Sequence, residues 1–297
     1  MSERSEAMKL LGLLQGGNDP RFKDIQNSPL QANFSNEDLN TYLNILEGKG
    51  ISFDDYRKSK AMNYARNESK NLISKMGGPI VPRDSKNWKM LDEIENEYYN
   101  KIMSASPKKE NKAMAVIGPP ASRKSTLIEP LRKEGYAIVD SDEIAPLFKN
   151  YYHDGLGASS VHRAANSIKW RVADRLAKEG VNSIVPFLGT GDYIKRFDKI
   201  FNKRNGYNNN DLIQTQLPED KLYAGNFKRI METGRYTPPT SIKNRIHTAP
   251  KNYDYTKNLG RSNFKNFTTF DMDVPRDSSP KVKDNVGSSF LYNKYKK

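Results

Sequence analysis

The sequence predicts an α/β fold, a parallel sheet flanked by helices, preceded by a small helical N-terminal module. Three observations predict it. Short apolar runs, beginning with Ala113-Met114-Ala115-Val116-Ile117, alternate with longer amphipathic stretches at the spacing of βαβ units. The first run ends in Gly118, as a buried parallel strand before a tight turn should. Upstream of residue 105 the apolar residues recur at helical spacing.

Residues 1–35 read as a polar N-terminal arm, rich in Gly, Asn, Pro and Ser around a weak helical patch. Ser35-Asn36-Glu37-Asp38 starts a helix before Leu39, Tyr42, Leu43, Ile45 and Leu46, and Gly48 and Gly50 stop it. A second helix starts at Ser52 and continues through Tyr56, Met62, Tyr64 and Leu72 to Met76. A third runs from near Ser85 through Trp88, Leu91, Ile94, Tyr98 and Ile102 to Met103. Residues 36–105 therefore form a helical module, and Ser104–Lys112, with Pro107, is the linker to a domain at 112–246.

Within that domain a helix is expected from Lys124 to about Glu134, then a strand at Tyr136–Val139 ending in Asp140. A long amphipathic helix spans Ser159–Glu179, with Gly180 as its stop. Asn182–Leu188 is a third strand, in which Pro186 marks an edge or an irregularity. Asp211–Leu217 is a fourth, followed by a helix from Pro218 to Thr233. Parallel strands joined in this way gather ligands at their carboxyl ends. Residues 247–297 show no helical or strand period and read as a basic, poorly ordered C-terminal arm. Its aromatics stack bases, pack across the preceding domain or stay disordered.

Composition narrows the function classes. The hydrophobic fraction is 36%, so a core is expected in part of the chain only. The absence of cysteine excludes disulfides, Cys-based zinc sites and thiol nucleophiles, and fits a reducing compartment. The charged start and the short patch Leu10–Leu14 suit neither a membrane span nor a secretory signal, so a soluble, cytoplasmic protein is expected. Net charge is +14, and its excess lies beyond residue 110. A solvated basic surface, phosphate-bearing substrates and weak nucleic-acid binding all account for it.

The chemistry concentrates at Gly118-Pro119-Pro120-Ala121-Ser122-Arg123-Lys124-Ser125-Thr126, which matches G-x-x-x-x-G-K-[ST] at Gly118, Lys124 and Ser125. In a strand–loop–helix setting such a loop turns backbone N–H groups toward phosphate. Lys124 neutralises the β/γ-phosphates, and Ser125 offers its hydroxyl to Mg²⁺. Arg123 stands where the motif has its second glycine, in a conformation costly for a residue with a Cβ. Either Arg123 is tolerated and adds a charge near the phosphates, or the site is degraded.

Val139-Asp140-Ser141-Asp142-Glu143 ends the next strand. A kinase needs a base for the acceptor hydroxyl and a carboxylate for Mg²⁺, and Asp142 and Asp140 suit these jobs. Helix capping by Ser141 or Asp142 is the structural alternative. Lys228-Arg229 and Gly234-Arg235 offer either a phosphoryl clamp or an exposed helix face. His153, His162 and His247 lack metal-ligand spacing.

With these blocks in view, the chain resembles the zeta-toxin family of P-loop kinases over about residues 113–246. The likeness rests on the phosphate loop, on Val139–Ile144, and on Gly155-Leu156-Gly157-Ala158-Ser159-Ser160-Val161-His162. It continues in Asn182–Pro186 with Gly189-Thr190-Gly191, and in Glu232–Pro239. The resemblance implies ATP- or GTP-dependent phosphorylation of a hydroxyl, in the best-known members that of UDP-N-acetylglucosamine. It assigns the base to Asp142, the loop lysine to Lys124, the phosphate-binding arginines to Arg229 and Arg235, and the substrate-strand threonine to Thr190. His162, inside a matched block, either lines the substrate cleft or packs locally. The loop residues Gly118, Pro119, Ala121, Ser122, Arg123, Lys124, Ser125 and Thr126 hold the nucleotide, and Ser125 and Asp140 support Mg²⁺. Leu188 stands where the family carries a Glu that helps hold the sugar, so a different acceptor is in view. An antitoxin or carrier protein is the implied partner. The rival readings are a catalytically degraded nucleotide-binding protein and a polynucleotide kinase.

Overall fold

Five parallel strands and one antiparallel strand make a single mixed sheet in the order β2-β3-β1-β4-β5-β6. They are β1 (Ala113–Ile117), β2 (Ala137–Ile138), β3 (Ser183–Phe187), β4 (Asn210–Gln216), β5 (Phe264–Asp271) and β6 (Lys281–Val286). The helices are α1 (Lys86–Ser104), α2 (Lys124–Ile128), α3 (Ser141–Ile144), α4 (Gly155–Lys178), α5 (Gly191–Ile200), α6 (Glu219–Thr233), α7 (Pro239–Asn258) and α8 (Phe290–Tyr295). This computed structural model describes residues 86–148, 155–233, 237, 239–260, 262–275 and 278–296. The expected N-terminal arm at 1–35 and the first two helices of the 36–105 module lie outside the described residues.

The chain divides into two units. Glu93–Glu143, Ser167–Leu217 and Asn244–Lys297 form the unit that contains the sheet. The other comprises Met1–Asp92, Ile144–Asn166 and Pro218–Lys243, and takes in α6 with the first part of α4.

In the sheet unit the core joins strand residues Met114, Val116, Ile138, Ile184, Ile213 and Phe270 to Leu127, Ile128, Leu131 and Leu291. β1 is buried at every position, which is why its sequence is an unbroken apolar run. A second, aromatic cluster stacks Phe197 on Phe264 at 5.3 Å and sets Phe201 edge-on to Tyr207 at 5.1 Å.

Several expectations change. The helix after the phosphate loop is α only to Ile128 and continues as a 3₁₀ turn at Glu129–Arg132, because Pro130 has no N–H to donate. β3 lies between β1 and β2 and is not an edge strand. Its Pro186 is accommodated because Asn182 O and Ile184 O take the Ala137 and Val139 amides, so the next residue facing that way lies past the end of β2. The 105–112 segment is not a loose linker, since Asn182 Oδ1 accepts from the amides of Glu110 (3.0 Å) and Lys112 (3.2 Å). Residues 93–104 of α1 belong to the sheet unit. There Glu95 pairs with Arg171 and Arg175, and the buried Tyr98 hydroxyl meets Ile138 O.

The largest correction concerns the C-terminal 247–297 arm, which carries most of α7, all of β5 and β6, and α8. Its last helix is tied to the sheet through Asp211, which is 6% exposed and accepts from Asn266 Nδ2 (2.7 Å) and Phe290 N (3.1 Å). Burial pushes the Asp211 carboxyl from its usual 3.8 up to about 6, against both donors. The native state therefore binds this proton more tightly than the unfolded chain. The Asp211 contribution is full below about pH 4 and declines as pH rises to about 6. Relative to Asp211→Asn, wild-type stability should fall by about 3 kcal/mol across that window in denaturant titrations. A constant difference between the two proteins would show that Asp211 stays ionised throughout.

Candidate active site

β1 is central, and the chain leaves it toward β2 at one edge and leaves β3 toward β4 on the other side. Such a switch point opens a crevice at the strands' carboxyl ends, and the phosphate loop begins there.

Gly118 sits where a side chain does not fit. A Cβ on it would lie 2.3 Å from Thr215 Oγ1, 2.6 Å from Ser122 Oγ and 2.9 Å from Thr215 O. Ser122 is buried, and its hydroxyl bonds that of Thr215 at 2.8 Å, pinning the loop to β4. Thr215 Oγ1 is also 3.3 Å from Ile117 O, so one threonine holds both the end of β1 and the loop it feeds. Sequence reading does not single out Thr215, whose only signal is a hydroxyl near the carboxyl end of a strand. Pro119 is buried, and Ala121 at φ 61° takes the left-handed conformation. Lys124 Nζ lies over the loop, donating to Gly118 O (2.9 Å) and Pro119 O (2.8 Å). Ser125 and Thr126 are exposed at the start of α2.

Arg123 keeps the backbone conformation that the motif gives to glycine, with φ 60° and ψ 27°. For an L-residue this costs roughly 1–2 kcal/mol. Its Nη1 donates to Met272 O (3.1 Å) and Val274 O (2.6 Å), beyond the end of β5. The side chain thus serves as a clasp between the loop and the segment after β5. Removing it in Arg123→Ala should destabilise the protein by about 1–3 kcal/mol. Arg123→Gly should lose about 1 kcal/mol less, because glycine relieves the left-handed strain. Chemical denaturation of the three proteins should rank them wild type, Gly, Ala, and equal midpoints would mean that the clasp contributes nothing.

The carboxylate pair sits at the end of β2, which is separated from β1 by β3 and is not its neighbour as the chain order suggests. Asp140, not Ser141 or Asp142, supplies the helix cap: its Oδ1 accepts from Asp142 N at 3.0 Å. Tyr98 Oη accepts from Asp140 N at 3.1 Å, so a buried phenol fixes the turn. Burial, then the charge of Glu143, holds that phenol well above its usual range, so it remains protonated. Asp140 and Asp142 are both partly exposed. Glu143 is ion-paired with Arg132, and burial raises its carboxyl.

At the end of β3, Gly189 has φ 74°, and its carbonyl accepts from Asn252 Nδ2 of α7 at 2.8 Å. Thr190 stands at the N-cap position of α5 without spending its hydroxyl there. Thr190 Oγ1 is buried without a hydrogen-bond partner among the described residues. Leu188 is half-buried. Asn252 lies in the stretch whose sequence reads as an arm, so no motif could have found it.

His162 is exposed on α4, and Arg229 is half-buried on α6. Both belong to the other unit, and Arg235 lies outside the described residues. Among the described residues no group of three or more His, Cys, Asp or Glu forms a metal cluster, and no helix is long and apolar enough to cross a membrane.

No protein-family model matches the chain, and no curated protein sequence does. Solved structures do match. A chain of the AvrRxo1-ORF1:AvrRxo1-ORF2 crystal structure with sulphate ions aligns at TM-score 0.53 and 14% identity, over 75% of this chain and 76% of that one. A chain of the AvrRxo1-ORF1:-ORF2 structure with ATP aligns at TM-score 0.50 and 16% identity, over 70% and 71%. A chain of the PezAT chromosomal toxin–antitoxin system of Streptococcus pneumoniae aligns at 0.49 and 18% identity, over 70% and 85%. At these identities the likeness is one of fold, and the chain shares the fold seen in the AvrRxo1-ORF1:AvrRxo1-ORF2 structures.

Proposed function

We propose that this chain is a phosphotransferase of the zeta-toxin type, which moves the γ-phosphoryl group of ATP or GTP to a hydroxyl of a small acceptor. The observation that carries the reading is the phosphate loop: two left-handed residues shape it, and Lys124 Nζ reaches over its carbonyls. An intact loop conformation at Arg123 argues against a degraded site. The similar structure that holds ATP supports a nucleotide ligand, and both AvrRxo1 structures are two-protein complexes, which supports an antitoxin-like partner.

In this reading the acceptor oxygen attacks the γ-phosphorus while the bond to the β–γ bridging oxygen breaks. The nucleoside diphosphate leaves, and the hydroxyl proton passes to the Asp142 carboxylate. Lys124 neutralises charge on the β/γ-phosphates, and the clamp roles of Arg229 and Arg235 belong to the same proposal. Ser125 and Asp140 supply one hydroxyl and one carboxylate, a donor set that suits Mg²⁺, which takes its other ligands from phosphate and water. When bound, that ion offsets phosphate charge. Thr190, with its unspent hydroxyl, orients the acceptor.

A UDP-sugar such as UDP-N-acetylglucosamine is the first acceptor to test. Leu188 removes the carboxylate that the family uses on the sugar, so the panel should extend to other UDP-sugars and to oligonucleotides. With labelled ATP or GTP, transfer by wild type and none by Lys124→Ala would support the reading. Nucleotide-dependent thermal stabilisation without transfer to any acceptor would refute it in favour of a binding protein.

A further inference from the structure

α4 is buried on three consecutive residues, Ile168, Lys169 and Trp170. The middle one is a lysine that is 2% exposed. Its Nζ is 3.4 Å from Pro186 O, 5.0 Å from the centre of the Trp170 ring and 5.7 Å from that of Tyr193. An apolar side chain would fill this position without the several kcal/mol that a buried ion costs. One long hydrogen bond and two ring faces are a small return for such a group.

The strand register shows what else is near. Asn182 O and Ile184 O face β2 and accept from Ala137 N and Val139 N. Pro186 O is the next carbonyl on that side, one strand repeat of roughly 6.5–7 Å further on. β2 has ended by then, and the chain has turned at Asp140 into α3. Lys169 Nζ, at Pro186 O, therefore lies at the gap at the carboxyl end of β2 and β3, where the chain turns at Asp140. The charges that favour its ammonium are those of Asp140 first and Asp142 second, while burial lowers its pKa to about 8 and Arg196 opposes the charge as well.

We infer that Lys169 is a positioning residue of the phosphotransfer site: a sealed ammonium, held at the end of β3, whose charge acts across the gap on the Asp140/Asp142 pair and orients those carboxylates. This rests on the phosphotransfer reading for its purpose, and on the place of Lys169 at Pro186 O together with the charges of Asp140 and Asp142 for the coupling. Lys169 need touch neither nucleotide nor acceptor. Its effect passes through the carboxylates.

The experiment is a pair of double-mutant cycles on the full chain, combining Lys169→Met with Asp140→Asn and with Asp142→Asn. Asn keeps an Oδ1 at position 140 for the cap on Asp142 N. Melting temperatures read the coupling without any substrate. Lys169→Met should melt no lower than wild type, because methionine fills the space without a charge. Each Asn variant should lower the melting temperature when Lys169 is present, because the buried ammonium loses a compensating charge. In the Lys169→Met background the same Asn substitutions should lower it much less. In turnover, Lys169→Met should lower kcat by about 10²-fold at unchanged nucleotide KM, as misplacement of a reacting group does. With Asp142→Asn already present it should lower kcat little further.

Additive melting shifts would overturn the coupling. An active wild type beside an equally active Lys169→Met would overturn the positioning role. A wild type that transfers no phosphate, with the melting cycles still coupled, would remove the role by removing the kinase reading, which is a distinguishable result.

Discussion

Asp142→Ala should slow phosphoryl transfer by about 10²–10⁴-fold, the usual worth of a positioned general base. The loss should fall on kcat, since Asp142 acts on the acceptor proton and Lys124 and the loop hold the nucleotide. Asp142 is the second residue of a four-residue helix, and its backbone amide donates to the capping Asp140 Oδ1, a bond that does not involve the Asp142 side chain. The substitution should therefore keep the cap and lower the melting temperature only as Asp142→Asn does, through the charge lost to Lys169, while the rise on adding ATP stays close to that of wild type. Single-turnover and steady-state rates with the labelled acceptor check it. Full transfer activity in Asp142→Ala would show that another group takes the proton.

Gly118→Ala should be the most damaging single methyl in the loop. The new Cβ would meet two hydroxyls bonded to each other at 2.8 Å and the backbone oxygen of Thr215. Side-chain rotation could relieve the first two contacts only by breaking the Ser122–Thr215 bond. The carbonyl at 2.9 Å belongs to β4 and cannot rotate away. A stability loss of about 1–3 kcal/mol is expected from the overpacking, together with loss of the ATP-dependent melting shift as the loop is displaced. Adding Thr215→Ala should recover part of the stability by clearing the hydroxyl, and a complete failure to recover would assign the damage to the backbone contact.

The phosphate loop is legible in the sequence because its requirements are local: an apolar buried strand, a glycine without room for Cβ, then Lys and Ser at the helix start. Which strand lies beside β1 is not legible. Strand adjacency is decided by packing between distant residues, and β3 enters between β1 and β2 from far along the chain. β5 is hidden for a different reason. It buries Asn266, Thr268 and Thr269 beside three phenylalanines spaced by three residues, so neither alternation nor an apolar run appears. Those polar groups are tolerated because each has a partner, Asn266 at Asp211, Thr268 at Ser289 and Thr269 at Gln214. Lys169 escapes notice because a lysine on an amphipathic helix ordinarily marks the wet face. Leu188 and Thr190, by contrast, are found through motif position alone, and Asn252, which braces the turn between them, comes from outside any motif.

The Arg123 clasp bears on how this protein can be dissected. The two carbonyls it grips lie 149 and 151 residues downstream, past the point where the recognisable motifs end. A fragment cut after residue 246 would keep every motif residue yet lose both grips, the brace at Gly189 and the strand that covers β4. Motif boundaries and folding boundaries are therefore different lines in this chain, and the minimal expressible unit extends at least through α8.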